Sequence, residues 1–84
     1  MLISYVRDNK RRPIATVVAL DRTHIGAAIC NSSDRFSKQR GREIAAARAS
    51  RNIWPEVFDA ETTKLLNVAM MDMEKRAAKY YKDN

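Results

Sequence analysis

The sequence predicts an α+β domain in which a three-stranded antiparallel meander is followed by two helices, β-β-β-α-α. Three observations predict it. Short alternating runs rich in β-formers fill the first thirty positions, turn residues punctuate them, and the chain beyond residue 35 carries apolar residues at three- and four-residue spacing. At 84 residues the chain is expected to be a single domain over 1–84, with the sheet in 1–30, a basic helix over 35–52 and a long amphipathic helix over 56–82. So short a chain makes a modest core, and a dimer or a bound partner can supply missing burial.

The first strand runs from Leu2 to Arg7, and the D-N-K-R-R-P segment after it supplies the turn residues and the Pro of a hairpin connection. Ile14 to Leu20 makes the second strand. Ile14, Thr16, Val18 and Leu20 fall on one face and Ala15, Val17 and Ala19 on the other, so both faces are mostly apolar. A short turn at Asp21, Arg22 and Thr23 leads into a third strand over His24 to Cys30. Gly26 inside that strand signals a bulge or the close approach of another backbone, and a helix packed there accounts for it equally well.

Asn31 to Asp34 form a polar break, after which Ser37 caps a helix that continues to about Asn52. Its start is electrostatically unusual. Lys38, Arg40 and Arg42 occupy the first turns, where the helix dipole places roughly half a positive charge and carboxylates are favoured. Gly41 costs about 1 kcal/mol against Ala in a helix interior, so its presence implies close packing or a close-lying ligand. Amides and cations gathered at one helix end make an anion site, and a phosphate backbone is the commonest large anion. Arg48 lies among small and apolar residues and needs a partner, for which a carboxylate of the second helix, Asp72 or Glu74, is the expected choice.

Pro55 separates the helices, and Ile53-Trp54-Pro55 reads as a core plug in the turn between them. The second helix obeys the dipole rule that the first breaks, with Asp59 as N-cap and Glu61 in its first turn. Leu65, Leu66, Ala69, Met70, Met73, Ala77 and Tyr80 give it a broad apolar stripe. Such a helix spans roughly 35 Å, longer than the sheet it covers. Its far end is therefore expected to meet a second copy, with Met70, Met73, Ala77 and Tyr80 as the seam of a homodimer.

The net charge is +6 and the isoelectric point near 9.9. Residues 1–54 hold eleven Lys/Arg against four Asp/Glu and residues 55–84 hold five against six, so the excess lies wholly in the first two thirds. A polarised basic face suits nucleic acid, an anionic membrane or an acidic protein. Cys30 is the only cysteine, which excludes an intramolecular disulfide and fits a reducing, cytoplasmic compartment, with Cys30 as a small buried hydrophobe. The opening apolar run stops at Arg7, too short for a signal sequence, and no stretch is long enough to cross a bilayer. His24 and Cys30 stand alone in one strand, six residues apart, and no P-loop, dinucleotide fingerprint or carboxylate cluster occurs. The expectation is a protein that is not an enzyme and uses neither cofactor nor metal.

The run S-K-Q-R-G-R-E-I-A-A-A-R-A, Ser37 to Ala49, resembles the last helix of double-stranded-RNA-binding domains, where a capping Ser precedes a Lys cluster and an Ala-rich face. The resemblance implies that Lys38 and Arg42 stand for that family's phosphate-binding lysines and Gly41 for the small residue between them, after three antiparallel strands. It covers about half the chain. The family's N-terminal helix and its Gly-rich lead-in have no counterpart, and Arg40 has no strict equivalent. The pattern F-S-K-x-x-G-R-x-I-A-x-x-R-A, Phe36 to Ala49, also resembles small bacteriophage accessory proteins.

These readings converge on a nucleic-acid-binding accessory protein of a phage or mobile element, gripping duplex DNA or structured RNA through its backbone. A role in recombination or transcription control suits its size. The expected contacts are Arg35, Ser37, Lys38, Arg40, Gly41 and Arg42 at the helix start, with Lys10, Arg11 and Arg12 in the first hairpin loop as a second contact. They are phosphate-type, and no Asn or Gln pair is placed for base recognition. The alternative is a small interaction protein that uses the same face to inhibit or redirect an acidic host protein.

Overall fold

Strands β1 (Leu2–Arg7), β2 (Pro13–Ala19) and β3 (Ile25–Ile29) form an antiparallel sheet in the order β1-β2-β3, and helices α1 (Lys38–Ser50) and α2 (Ala60–Tyr80) follow. The structure, a computed structural model, describes residues 1–30, 37–57 and 59–81. The architecture is the α+β arrangement expected from the sequence, with β1 bounded as expected and the other element ends within four residues of the expected ones.

The two apolar faces of β2 decide the layering. Ala15, Val17 and Ala19 point to one side, where Leu66, Met73 and Ala77 of α2 close over them together with Val6, Ile25 and Ala27. Val18 points to the other side, where Ala28 and Ala45 of α1 complete a smaller cluster edged by Ile3, Leu20, Ile44 and Ala46. Each helix thus takes its own face of the sheet. Residues Ala15 to Ala19 are all buried because β2 is central in the sheet and covered on both sides.

Gly26 explains how closely α1 sits. A Cβ at this position would lie 2.3 Å from the Ala49 nitrogen, 2.7 Å from the Ala45 oxygen and 2.7 Å from the Ala49 Cα. The helix backbone itself rests on β3, and Ala45 and Ala49, fully buried, are the small side chains that allow it. The strand pairing runs through Gly26 without interruption, so the glycine serves close approach and no bulge. The irregularity in the sheet lies at Val6/Arg7, where β1 enters the first hairpin loop.

Helix α1 is capped as expected by Ser37, whose Oγ accepts from the Arg40 amide at 3.3 Å. It ends at Ser50, two residues before the expected Asn52. The reason is a Schellman cap: Asn52 adopts φ 53°, its amide donates to the Ala49 carbonyl and the Ile53 amide donates to Arg48. Trp54 and Val57 then pack onto the α2-side cluster, as a core plug should.

Helix α2 begins at Ala60 with Asp59 as its cap, as expected, lies within the expected range 56–82 and spans about 31 Å. Asn9 in the first hairpin loop donates to Glu61 at 3.2 Å, and the Tyr81 hydroxyl donates to the Ala19 carbonyl at 3.2 Å, so the helix runs the length of β1 and is tied at both ends. Met73 and Ala77, expected in a dimer seam, are fully buried against the chain's own sheet. Met70 is half-buried beside Trp54, and only Tyr80 of that set stands well exposed. Among the described residues no helix is long and apolar enough to cross a membrane.

Candidate nucleic-acid interface

Helix α1 packs over β3 and β2 and leaves the same face of β1 largely uncovered. Strand alternation and pairing place Ile3, Tyr5 and Arg7 on that face, opposite Val18, Thr16 and Pro13. Ile3 and Tyr5 are half-buried and Arg7 is exposed, so they floor a shallow strip along the flank of α1. The Lys38 ammonium stands 5.2 Å above the centre of the Tyr5 ring, in cation–π range. Arg42 follows one turn along the same flank and is half-buried. Arg7 extends the basic strip toward the hairpin loop, where its Nη1 donates to the Arg11 carbonyl at 3.0 Å.

The end of α1 adds its own field. No acidic residue lies in its first turn, and the Lys38 and Gln39 amides are beyond the reach of any intrahelical carbonyl. Ser37 fixes this end through its hydroxyl on the Arg40 amide and its carbonyl, which accepts from the Gly41 amide at 2.9 Å. Gly41 is not an approach point for a ligand. A Cβ there would lie 2.6 Å from the Thr16 Oγ1, so its missing side chain makes room for the sheet. Arg40 projects from the opposite flank to Lys38 and Arg42, exposed. Arg35 lies outside the described residues.

The first hairpin loop lies at the same end of the sheet and is organised by Asp8. Its Oδ1 accepts from the Lys10 and Arg12 amides at 2.9 and 2.8 Å, and its Oδ2 accepts from the Arg12 Nε at 3.0 Å. The Arg12 amide, ahead of the other contacts, holds the Asp8 carboxyl below the ordinary carboxylate range. Arg11 closes the loop with φ 63°, its amide donating to the Asp8 carbonyl. Part of the Arg12 charge is therefore matched within the loop. Lys10 and Arg12 also border a cleft of about 410 Å³ against the start of α2, with Asn9, Glu61 and Leu65. The loop cations thus share an end with Lys38, while Lys10 and Arg12 lean toward the α2 face.

Two residues of the strip, Tyr5 and Arg7, were not expected from the sequence. The signal was present in the alternation of β1, which sets Ile3, Tyr5 and Arg7 on one face; what it lacked was the lateral offset of α1. Arg48 departs from expectation too. Its Nη1 donates to the Ala27 carbonyl at 2.9 Å on the outer edge of β3, because Asp72 and Glu74 belong to a helix on the far side of the sheet.

Elsewhere His24 sits in the turn before β3, its Nδ1 2.9 Å from either carboxylate oxygen of Asp21. Asp21 also accepts from the Thr23 and His24 amides at 2.8 and 2.9 Å. The His24 contact first, then the Thr23 amide, lowers its pKa to about 2. Cys30 is half-buried rather than buried. Among the described residues, no group of three His, Cys, Asp or Glu side chains is placed to hold a metal ion. Comparison with protein-family models, with curated proteins and with solved structures finds no match to this chain.

Proposed function

We propose that this chain is a non-enzymatic nucleic-acid-binding accessory protein that holds a phosphate backbone along the strip between β1 and the start of α1. The observation that carries the reading is the placement of Lys38. It stands at a helix N-terminus without a single first-turn carboxylate, over an aromatic ring, between Arg7 and Arg42. Cations, amide dipoles and a ring face at one place suit a polyanion that also presents flat bases or sugars. The likeness of Ser37 to Ala49 to the final helix of double-stranded-RNA-binding domains, and of Phe36 to Ala49 to phage accessory proteins, agrees with it. Lys10, Arg11 and Arg12 serve as an outlying contact at the same end of the domain.

Anisotropy titration at low salt with duplex DNA, duplex RNA and single strands tests the proposal. Binding to at least one of them, weakening linearly in log K against log salt, is the expected result. Failure to bind any of the three overturns it and leaves an acidic protein as the partner to seek.

A further inference from the structure

A groove of about 820 Å³ runs along one flank of α2, on the opposite face of the sheet from α1 and the basic strip. Its volume is that of clefts that hold small molecules. Met70, Glu74, Ala78 and Tyr81, at four-, four- and three-residue spacing, form one wall. Ile25 and Trp54 lie across from them, and Asn52 and the turn from Asp21 to Thr23 complete the lining. These walls are fixed by contacts of their own. The Tyr81 hydroxyl is held on the Ala19 carbonyl and its ring meets Tyr80 edge-on at 4.9 Å. Asp21 accepts from the Thr23 and His24 amides. Trp54 packs on the α2-side cluster and stays half-buried, and its indole N–H has no partner among the described residues.

The charge of the groove runs against that of the chain. The net charge is +6, yet two carboxylates, Asp21 and Glu74, line this one place. Glu74 is exposed, and its neighbours three and four residues away along α2 are Met70, Met71, Ala77 and Ala78, none of them a cation. It makes no ion pair among the described residues. Arg22, the one cation of the described lining, already has a partner. Both helices also end at this groove, α1 near Asn52 and α2 at Tyr81, and each such end carries roughly half a negative charge. An unpaired carboxylate therefore stands beside an indole and a phenol ring in a negative field.

We propose that this groove binds a small organic cation, an aromatic or branched apolar body bearing one ammonium or amidinium head. The body lies against Ile25, Trp54 and Met70, where burial of its apolar surface favours it. Its head meets the Glu74 carboxylate, which stands one turn from Met70 along the wall. The Trp54 and Tyr81 rings attract a cation through their faces and give nothing to an anion. An anionic ligand of the same shape is repelled by Asp21 and Glu74. The groove and the basic strip lie on opposite faces of the sheet, so the site stands whether or not the strip holds nucleic acid.

Trp54 is the only tryptophan, so its emission and its single indole N–H resonance report the groove directly. The probes are phenethylammonium, phenethyl alcohol and phenylpropionate, a cation, a neutral molecule and an anion on one body, titrated into the full chain at low salt. Phenethylammonium is expected to saturate with Kd of about 1 mM, the alcohol to bind about fivefold more weakly, and phenylpropionate not to saturate. Glu74→Gln, at an exposed position, is expected to weaken phenethylammonium by about fivefold and to leave the alcohol unchanged, a split that misfolding would not produce. Failure of phenethylammonium to saturate by about 10 mM, an alcohol that binds as tightly as the amine, or a Glu74→Gln protein with wild-type affinity overturns the inference.

Discussion

Replacing Gly26 by alanine tests the packing on which the basic strip depends. The added Cβ meets three main-chain atoms of α1, the nearest at 2.3 Å, where ordinary contact begins at 3.4 Å. No rotamer change relieves it, because the atoms belong to the backbone of two successive turns. Helix α1 must retreat by about 1 Å, and overpacking of this kind costs about 1–3 kcal/mol. The retreat also loosens Ala45 and Ala49 from Val18 and Ala28. The smaller entropy of an unfolded chain with Ala in place of Gly offsets about 0.4–1 kcal/mol. A net loss of about 1 kcal/mol remains, which in a domain of this size lowers Tm by about 4–8 °C. Thermal unfolding followed by circular dichroism measures it. A Gly26→Ala protein melting within about 2 °C of the wild type would refute the placement of α1 on β3.

Two further outcomes follow from buried and titrating groups. Thr16 is 1% exposed and its hydroxyl has no hydrogen-bond partner among the described residues, so Thr16→Val, of the same shape, is expected to raise stability by about 1 kcal/mol; urea unfolding checks this, and a loss would mean the hydroxyl is satisfied. Asp21 has a folded pKa near 2, below the unfolded value of about 3.9, so its contribution is complete above pH ~4 and is lost as pH falls toward about 2. Urea midpoints measured down that range should fall less steeply for Asp21→Asn than for the wild type.

Much of the fold is legible in the sequence because local signals agree with the tertiary ones. The alternation in Ile14 to Leu20 is apolar on both faces, which suits cover on two sides, and Gly26 signals a bulge or a close backbone neighbour, of which the structure shows the second. Ser37 and Asp59 cap the helices they should. What was not legible is lateral and facial placement. A helical stripe such as Met70, Met73 and Ala77 has the same spacing whether it faces a sheet or a second subunit, and only the ties at Glu61 and Tyr81 show that it faces the sheet. Arg48 could not be assigned to Ala27 without knowing that the helices lie on opposite faces. Lys38 and Arg42 were readable from their conflict with the helix dipole, whereas Tyr5 and Arg7 join them only because α1 is shifted toward β3.

The account's central claim, that Lys38 and Arg42 form one phosphate-binding strip, is tested most directly by the salt dependence of nucleic-acid affinity. The measurement is the slope of log K against log salt for the wild type and for Lys38→Ala/Arg42→Ala, on whichever strand binds best. The account predicts weaker binding and a slope shallower by about two, one for each lost contact, while Arg40→Ala on the opposite flank changes little. A double variant with the wild-type slope and affinity would contradict it.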